Sequence, residues 1–400
     1  YYYTELNTAR MLHDLNITGS ESEEQIRKSL AVIQKEEQIE LDELQIRAVI
    51  EAVNCGLLVI TGGPGTGKTT TINTIIRYFE KGDMDILLAA PTGRAAKRMT
   101  EATGYEAKTI HRLLELTGMP EEDEKSRTTS MHFERNEDNP LEADVIIIDE
   151  MSMVDTLLME HLLRGMRLGA RLIMVGDSDQ LPSVSAGNVL RDLIQSGLVP
   201  CIHLERVFRQ AAESLIVTNA HAIVRGEMPD LGCRTGDFFF LEQPDAFAQQ
   251  RLVVDLVSRR LPKSYGYDPL RDIQVITPAK QGPLGTRELN RLLQGKLNPP
   301  ERGKGEATLM GRTLREGDKV MQIRNNYDII WQQPDGTAGT GIFNGDMGFI
   351  ESISEENRTV TVVFDDERRI VYDNLYVEEL ELAYAITIHK SQGSEFKVVV

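Results

Sequence analysis

The sequence predicts an α/β fold of two parallel-sheet lobes, the first carrying a β-hairpin insertion and the second an inserted small antiparallel β-barrel. Three observations predict it. Short apolar runs alternate with amphipathic helical stretches from Leu41 to about His203, and the alternation resumes further on. A complete G-x-x-x-x-G-K-[ST] pattern stands between the first such run and the helix after it. From Thr313 to Leu380 the pattern changes to short strands punctuated by Asn, Asp and Gly turns.

Taken in order, residues 1–40 read as surface helices, the helical end of an amino-terminal region. "LLVIT", "DILLAAP", "DVIIIDE" and "RLIMVGD" read as buried strands, and "DTLLMEHLLRGMRLG" as one of the helices between them, so residues 41–203 form the first lobe. "CIHLE", "IQVITP" and "FKVVV" continue the alternation and give a second lobe over 204–312 and 381–400. Inside it, "KVMQI", "GFIESI", "TVTVVF" and "RIVY" make the barrel, 313–380. The insertion at 119–144 contains "SMHFERNEDNPL", which forms a hairpin turning near Asn136 to Asn139 or else a loose surface loop.

Composition sets limits on function. At 400 residues the chain has room for two or three domains of roughly 150 residues. A formal charge of −18 argues against coating nucleic acid by bulk electrostatics, while leaving room for a narrow basic track. Much of the acidity is local, in "ESEEQIRKSLAVIQKEEQIELDE" and "PEEDE". No apolar run approaches the roughly 20 residues of a membrane span. Cys55, Cys201 and Cys233 are far apart and lack metal-ligand spacing, so they read as reduced thiols of a cytosolic chain. Tyr1 in place of an initiator Met, and "KVVV" stopping inside a strand, read as a segment of something longer.

The glycine-rich motif "GGPGTGKTT" comprises Gly62, Gly63, Pro64, Gly65, Thr66, Gly67, Lys68, Thr69 and Thr70. Its glycines let backbone amides surround phosphates, Lys68 neutralises β/γ oxygens, and the Thr69 hydroxyl ligates magnesium. Asp149 and Glu150 end the strand "VIIID", where one carboxylate can reach that magnesium and the second can polarise attacking water. An acidic pair at a strand end is otherwise a solvated face; its pairing with the loop points to hydrolysis of ATP or GTP. Gln180, in "VGDSDQLPSV", can hydrogen-bond the γ-phosphate, and Arg209, in "ERVFRQ", can stabilise the transferring phosphoryl group. A lone arginine is more often a surface residue, so Arg209 depends on its context.

Seven stretches supply that context: "GGPGTGKTTT", "LLAAPTGRAAKRM", "TIHRLL", "VIIIDEMSMVD", "LIMVGDSDQLPSV", "VFRQ" and "TIHKSQGSEF". In this order they resemble superfamily 1 DNA helicases, and within them the RecD-like, class B group that moves 5′ to 3′. The resemblance covers Leu41 to Val400 and implies two RecA-like motor lobes of the P-loop NTPase class, an SH3-like barrel, and ATP and Mg2+ as cofactors, the metal held by Thr69 and Asp149. It implies that Gln45, in "LDELQIRAVIEAV", reads adenine with a two-bond amide, where the residue alone would read as a polar position on an amphipathic helix. It implies single-stranded DNA and duplex junctions as partners, with repair or recombination proteins, in the bacterial cytoplasm at the nucleoid. It places a projecting β-hairpin at 119–144. Beyond "FKVVV" it expects a further motif whose arginine touches the γ-phosphate, so hydrolysis by residues 1–400 alone is expected to be weak.

The sequence supports two lobes independently. "LLAAPT" runs into Pro91 with "TIH" at Thr109, and "QVITPA" runs into Pro278 with "TIH" again at Thr387. The spacings are 18 and 109 residues, and part of the excess is the barrel. On that arrangement ATP is gripped by Lys68, Thr69, Asp149 and Glu150 on one side and by Arg209, Gly393 and Glu395 on the other. DNA lies against Pro91, Thr92, Gly93 and His111 in one lobe and Thr387, His389 and Lys390 in the other. His111 and His389 can equally satisfy loop carbonyls. Two other classes share part of the pattern: a regulatory P-loop ATPase would need no second "TIH" loop, and a superfamily 1 RNA helicase would share the whole motor.

Overall fold

The computed structural model describes residues 1–117, 132–309, 311–354, 356–365, 367–373 and 375–400. It divides into two compact units, Tyr1–Pro91 with Ala95–Leu241, and Thr92–Arg94 with Glu242–Val400.

The first unit opens with α1 (Tyr2–Leu15), α2 (Glu23–Glu37) and α3 (Glu43–Asn54). Then come β1 (Leu57–Gly62), α4 (Lys68–Glu80), β2 (Ile86–Ala90), α5 (Gly93–Thr103, whose Gly93 and Arg94 group with the second unit), β3 (Ala107–Thr109), α6 (Ile110–Leu113), β4 (Leu116–Thr117) and β5 (His132–Phe133). It continues through β6 (Val145–Ile148), α7 (Thr156–Arg164), β7 (Arg171–Gly176), α8 (Val189–Ser196), β8 (Cys201–Leu204), α9 (Arg209–Ala212) and α10 (Leu215–Val224). Six strands form a parallel sheet in the order β3-β2-β6-β7-β1-β8. Side chains alternate across a strand, so each apolar run feeds two cores. Leu57, Val59, Ile146, Ile148, Leu172 and Met174 enter one. Leu58, Ile60, Val145, Ile147, Ile173 and Val175 enter the other.

Three features differ from the sequence reading. Helices α1 and α2 are not merely surface elements: Leu12 and Leu15 join the first core, and Ile26, Leu30 and Ile33 the second. The many charges of α2 occupy the opposite face and conceal this narrow stripe. "CIHLE" forms β8 at the edge of the first sheet, with Val59 aligned to Cys201 and Ile60 to Ile202. Residues 205–241 also group with the first unit, whereas the sequence division places them in the second lobe. The cause is local, because after β8 the chain folds back over the β1–α4 loop, with Phe208 N donating to Gly65 O at 3.1 Å. Finally, β4 pairs antiparallel with β5, Leu116 with Phe133 and Thr117 with His132, so the hairpin arms lie either side of 118–131, which fall outside the described residues. The turn at Asn136 to Asn139 does form, through reciprocal backbone hydrogen bonds of 3.3 and 3.1 Å, but it closes a separate loop after β5.

The second unit contains α11 (Ala246–Asp255), α12 (Leu261–Tyr265), β9 (Ile273–Thr277), α13 (Thr286–Leu297), β10 (Glu306–Leu309) and β11 (Arg312–Arg315). Next are β12 (Lys319–Gln322), β13 (Asn326–Gln332), β14 (Ala338–Ile342), β15 (Met347–Ser354), β16 (Thr359–Phe364), β17 (Arg369–Tyr372) and β18 (Leu380–Leu382). It ends with β19 (Ala385–Thr387), α14 (Ile388–Ser391) and β20 (Val398–Val399). A parallel sheet runs β19-β9-β20, and a seven-stranded antiparallel sheet runs β14-β13-β17-β16-β15-β12-β18 around Val320, Ile350, Val362 and Ile370. The two sheets are joined through Asp318, which has no solvent exposure and accepts from Gln294 Nε2 (2.7 Å), Asn298 Nδ2 (2.6 Å), Arg315 N (2.7 Å) and Tyr384 Oη (2.8 Å). A buried carboxylate met by four donors fixes the register of α13 against β12 and β19.

Candidate nucleotide and nucleic-acid site

The phosphate loop begins where β1 ends at the carboxyl edge of the first sheet. Gly67 caps α4 in the left-handed region, φ 83°, and a Cβ there would lie 2.6 Å from both Gln45 Nε2 and Phe208 Cε2. Only glycine meets both demands. Thr66 Oγ1 donates to Gly63 O at 2.9 Å and steadies the loop from within. Lys68 Nζ donates to the carbonyls of Gly62 (2.6 Å) and Gly63 (3.0 Å), curled over the loop that it would share with phosphate oxygens. Pro64, Gly65 and Thr69 are exposed, and Thr70 is half-buried in the first turn of α4.

Gln45, expected to read adenine, lies against the phosphate loop. It is buried at the start of α3, where its Oε1 accepts from Asp42 N (3.0 Å) and its Nε2 donates to Gly67 O (3.2 Å). Both halves of the amide are thus engaged within the protein.

Strand β6 delivers Asp149 and Glu150 beside this loop. Asp149 N donates to Ala89 O at 3.0 Å, and its Oδ1 accepts from Glu150 N at 2.8 Å. Burial pushes the Asp149 carboxyl up to about 6, the charge of Glu150 adds to the rise, and Arg98 and Lys68 oppose it. Glu150 has left-handed backbone, φ 55°, and forms an ion pair with Arg98 on α5. Asp149 and the Thr69 hydroxyl offer hard oxygen donors, too few for an all-protein cage, which suits a magnesium ion sharing phosphate oxygens and water.

Gln180 is exposed after β7, its backbone N donating to Asp177 O at 3.3 Å. Arg209 opens α9, and its side chain lies outside the described residues. Helix α10 brings His221 onto the loop, Nε2 donating to Pro64 O at 3.1 Å.

The two "TIH" loops occupy equivalent places in their own sheets. In the first, Ala90 aligns with Thr109, and Pro91 follows Ala90. In the second, Thr277 aligns with Thr387, and Pro278 follows Thr277. Each threonine then caps a short helix, Thr109 Oγ1 accepting from Arg112 N (3.1 Å) and Thr387 Oγ1 from Lys390 N (3.4 Å). These hydroxyls serve the loop itself. His111 is half-buried, its ring 6.2 Å from that of Phe133, which lies 4.6 Å from His161. Burial pulls the His111 imidazole down to about 4, which favours its neutral form at physiological pH. His389 is exposed. Lys390 donates to Ile323 O at 3.4 Å and to Asn344 Oδ1, and burial lowers its pKa. Thr92 and Gly93 head α5, while Gly393, φ 68°, and Glu395 follow α14 in the second unit.

Comparison with known proteins gives this geometry a family. An AAA domain model matches residues 45–186, and the model of the ATP-dependent RecD-like DNA helicase SH3 domain matches 289–364. The ATP-dependent RecD2 DNA helicase of Deinococcus radiodurans is 36% identical over 90% of this chain. The chain belongs to the RecD-like helicase family. The RecBCD enzyme subunit RecD of Mycolicibacterium smegmatis is 32% identical over 88% of the RecD-like chain described above. This RecD-like chain spans 45% of the first relative's length and 64% of the second's. The solved Pif1 helicase from Candida albicans aligns over 90% of the chain and 88% of its own, at 19% identity and a TM-score of 0.45.

Sequence reasoning missed Arg98 and His221 in this RecD-like chain. Arg98 is one of three basic residues in "GRAAKR", and only the fold shows that it meets Glu150. His221 gives no local signal, because its partner is a backbone carbonyl 157 residues away.

Proposed function

We propose that this chain is the motor segment of an ATP-dependent DNA helicase that moves 5′ to 3′ on single-stranded DNA and separates duplex strands, in repair or recombination. One observation carries the reading: a complete phosphate loop with its Asp149–Glu150 strand shares the chain with two identically registered strand–proline and "TIH" loops. A stand-alone nucleotide switch has no need of the second.

In the proposed chemistry Lys68 and the loop amides hold β/γ oxygens, Gln180 orients the γ-phosphate, and Arg209 offsets charge as it transfers. Thr69 and Asp149 would hold magnesium, which would supply positive charge to offset that of the phosphates. Glu150 accepts the proton of the attacking water. DNA contacts fall to the backbone amides of Thr92 and Gly93 after Pro91, to those of 387–390 and to exposed His389, a narrow track compatible with the net charge of −18. No helix among the described residues is long and apolar enough to cross a membrane.

The test is ATP turnover by the full-length protein with and without single-stranded DNA, then with RNA of the same sequence, followed by unwinding of duplexes tailed at the 5′ or the 3′ end. Stimulation by DNA and opening of the 5′-tailed duplex are expected. Turnover indifferent to DNA would leave a regulatory ATPase, and a preference for RNA would move the protein to the RNA helicases.

A further inference from the structure

Glu150 is held in a way that its proposed chemistry does not explain. Its backbone is left-handed, φ 55° and ψ 39°, a conformation that non-glycine residues seldom adopt and that is strained. The strain is maintained by the turn that follows, where Met151 is fully buried and Met153 N donates to Glu150 O at 3.0 Å. The side chain is nearly buried and its Oε1 receives Arg98 Nη2. A carboxylate oxygen occupied by a guanidinium is directed at the arginine and cannot at the same time face a water above the phosphate loop.

Arg98 sits on α5, whose Ala95, Ala96 and Met99 are buried, so the helix moves as a body with its packed face. The same helix starts at Gly93, directly after Pro91 and Thr92, the loop assigned to the DNA strand. One rigid element therefore carries the DNA-facing loop at its head and the partner of the catalytic carboxylate five residues later. A shift of α5 cannot leave the Arg98–Glu150 pair unchanged.

We propose that Arg98 is a positioning residue that holds Glu150 off the attacking water until single-stranded DNA engages the loop at the head of α5. The proposal rests on the helicase reading and adds to it the means by which DNA switches on ATP hydrolysis. The pair acts as a two-state contact: closed, the Glu150 side chain is held on Arg98 and turnover is slow; open, the side chain is free to turn to the attacking water.

The experiment measures kcat and KM for ATP in the full-length protein and in Arg98→Ala, Arg98→Gln and Arg98→Lys, each with and without an oligothymidylate. Arg98→Ala and Arg98→Gln are expected to raise DNA-independent kcat by about 5-fold or more and to shrink the stimulation ratio correspondingly, with KM little changed. Arg98→Lys, which keeps the charge on a shorter reach, is expected to restore part of the restraint. Unchanged basal kcat and stimulation ratio in the folded variants would overturn the proposal, as would a raised KM with equal loss of basal and stimulated kcat, the pattern of a nucleotide contact. If Arg98→Ala does not fold, Arg98→Gln and Arg98→Lys decide by the same ratio. Wild-type protein that DNA does not stimulate at all would instead sink the helicase reading, and the basal rates of the variants would still report on Arg98.

Discussion

Gln45 Nε2 donates to the carbonyl oxygen of Gly67 at 3.2 Å, tying the first turn of α3 to the residue that hands the phosphate loop over to α4. Since its Oε1 is taken by Asp42 N, Gln45→Ala is expected to loosen the loop for every nucleotide. KM for ATP and for GTP should rise together, by about 10-fold for a lost hydrogen bond of roughly 1.4 kcal/mol. A rise confined to ATP would mean that Gln45 leaves Gly67 to read the base.

Among the described residues the hydrogen bonds of Lys68 Nζ go to carbonyls of its own loop, Gly62 and Gly63, so Lys68→Ala would remove the proposed phosphate partner with little loss of core packing. Turnover is expected to fall ~100-fold or more with the melting temperature little changed. A variant with near wild-type turnover would sink the phosphate-loop assignment. Glu150→Gln, measured beside it, should bind ATP and DNA but not hydrolyse; loss of nucleotide binding would make Glu150 a ligand instead of a base.

The phosphate loop and the Asp149–Glu150 strand were legible because their chemistry is local: nine consecutive residues and the end of one apolar run specify them. The repeat was legible for the same reason, two "TIH" triplets after two strand–proline junctions, and the alignments Ala90 with Thr109 and Thr277 with Thr387 give it geometry. What stayed hidden depends on partners distant in sequence. Burial of His111 is set by Phe133 and His161, 22 and 50 residues on, and Arg98 becomes informative only when α5 lies beside β6. The placement of β8 escaped because an edge strand that follows a helix and a loop reads equally well as the first strand of a new sheet.

His111 also fixes a pH dependence. Its folded pKa of about 4 lies below the 6.5 of an unperturbed imidazole, with burial as the main cause; Asp155 pulls upward and His161 downward. The unfolded chain therefore binds the proton first, so stability is full above pH 6.5 and is lost progressively as pH falls towards 4. The loss is roughly 2–3 kcal/mol. Thermal unfolding at pH 7 and pH 4.5 should show wild type losing more than His111→Asn, with the carboxylate contribution common to both. Equal losses would mean that His111 titrates as an exposed group.

Asp318→Ala should destabilise the second unit by about 3 kcal/mol or more, because it strands the buried donors of Gln294, Asn298 and Tyr384 together with Arg315 N. Hydrogen exchange is expected to accelerate in α13 and β12 while the phosphate loop retains ATP. A change below about 1 kcal/mol would show that water replaces the carboxylate at little cost.

The hairpin offers a way to separate unwinding from ATP turnover. The turn near Asn136 is a poor place to cut, because Arg135 N donates to Leu114 O at 3.2 Å and Arg135 Nη2 to Glu115 Oε1 at 2.9 Å, contacts that hold the first unit together. The pairing of Thr117 with His132 provides a cleaner excision: replacing residues 118–131 with Asn-Gly closes the antiparallel pair by a two-residue turn. The proposed motor residues, Lys68, Asp149 and Glu150, are untouched. If the removed segment works at the duplex junction, strand separation should be lost while single-stranded DNA still stimulates ATPase. Equal loss of both activities would mean that the segment supports the fold of the first unit, and loss of neither would make it a passive loop.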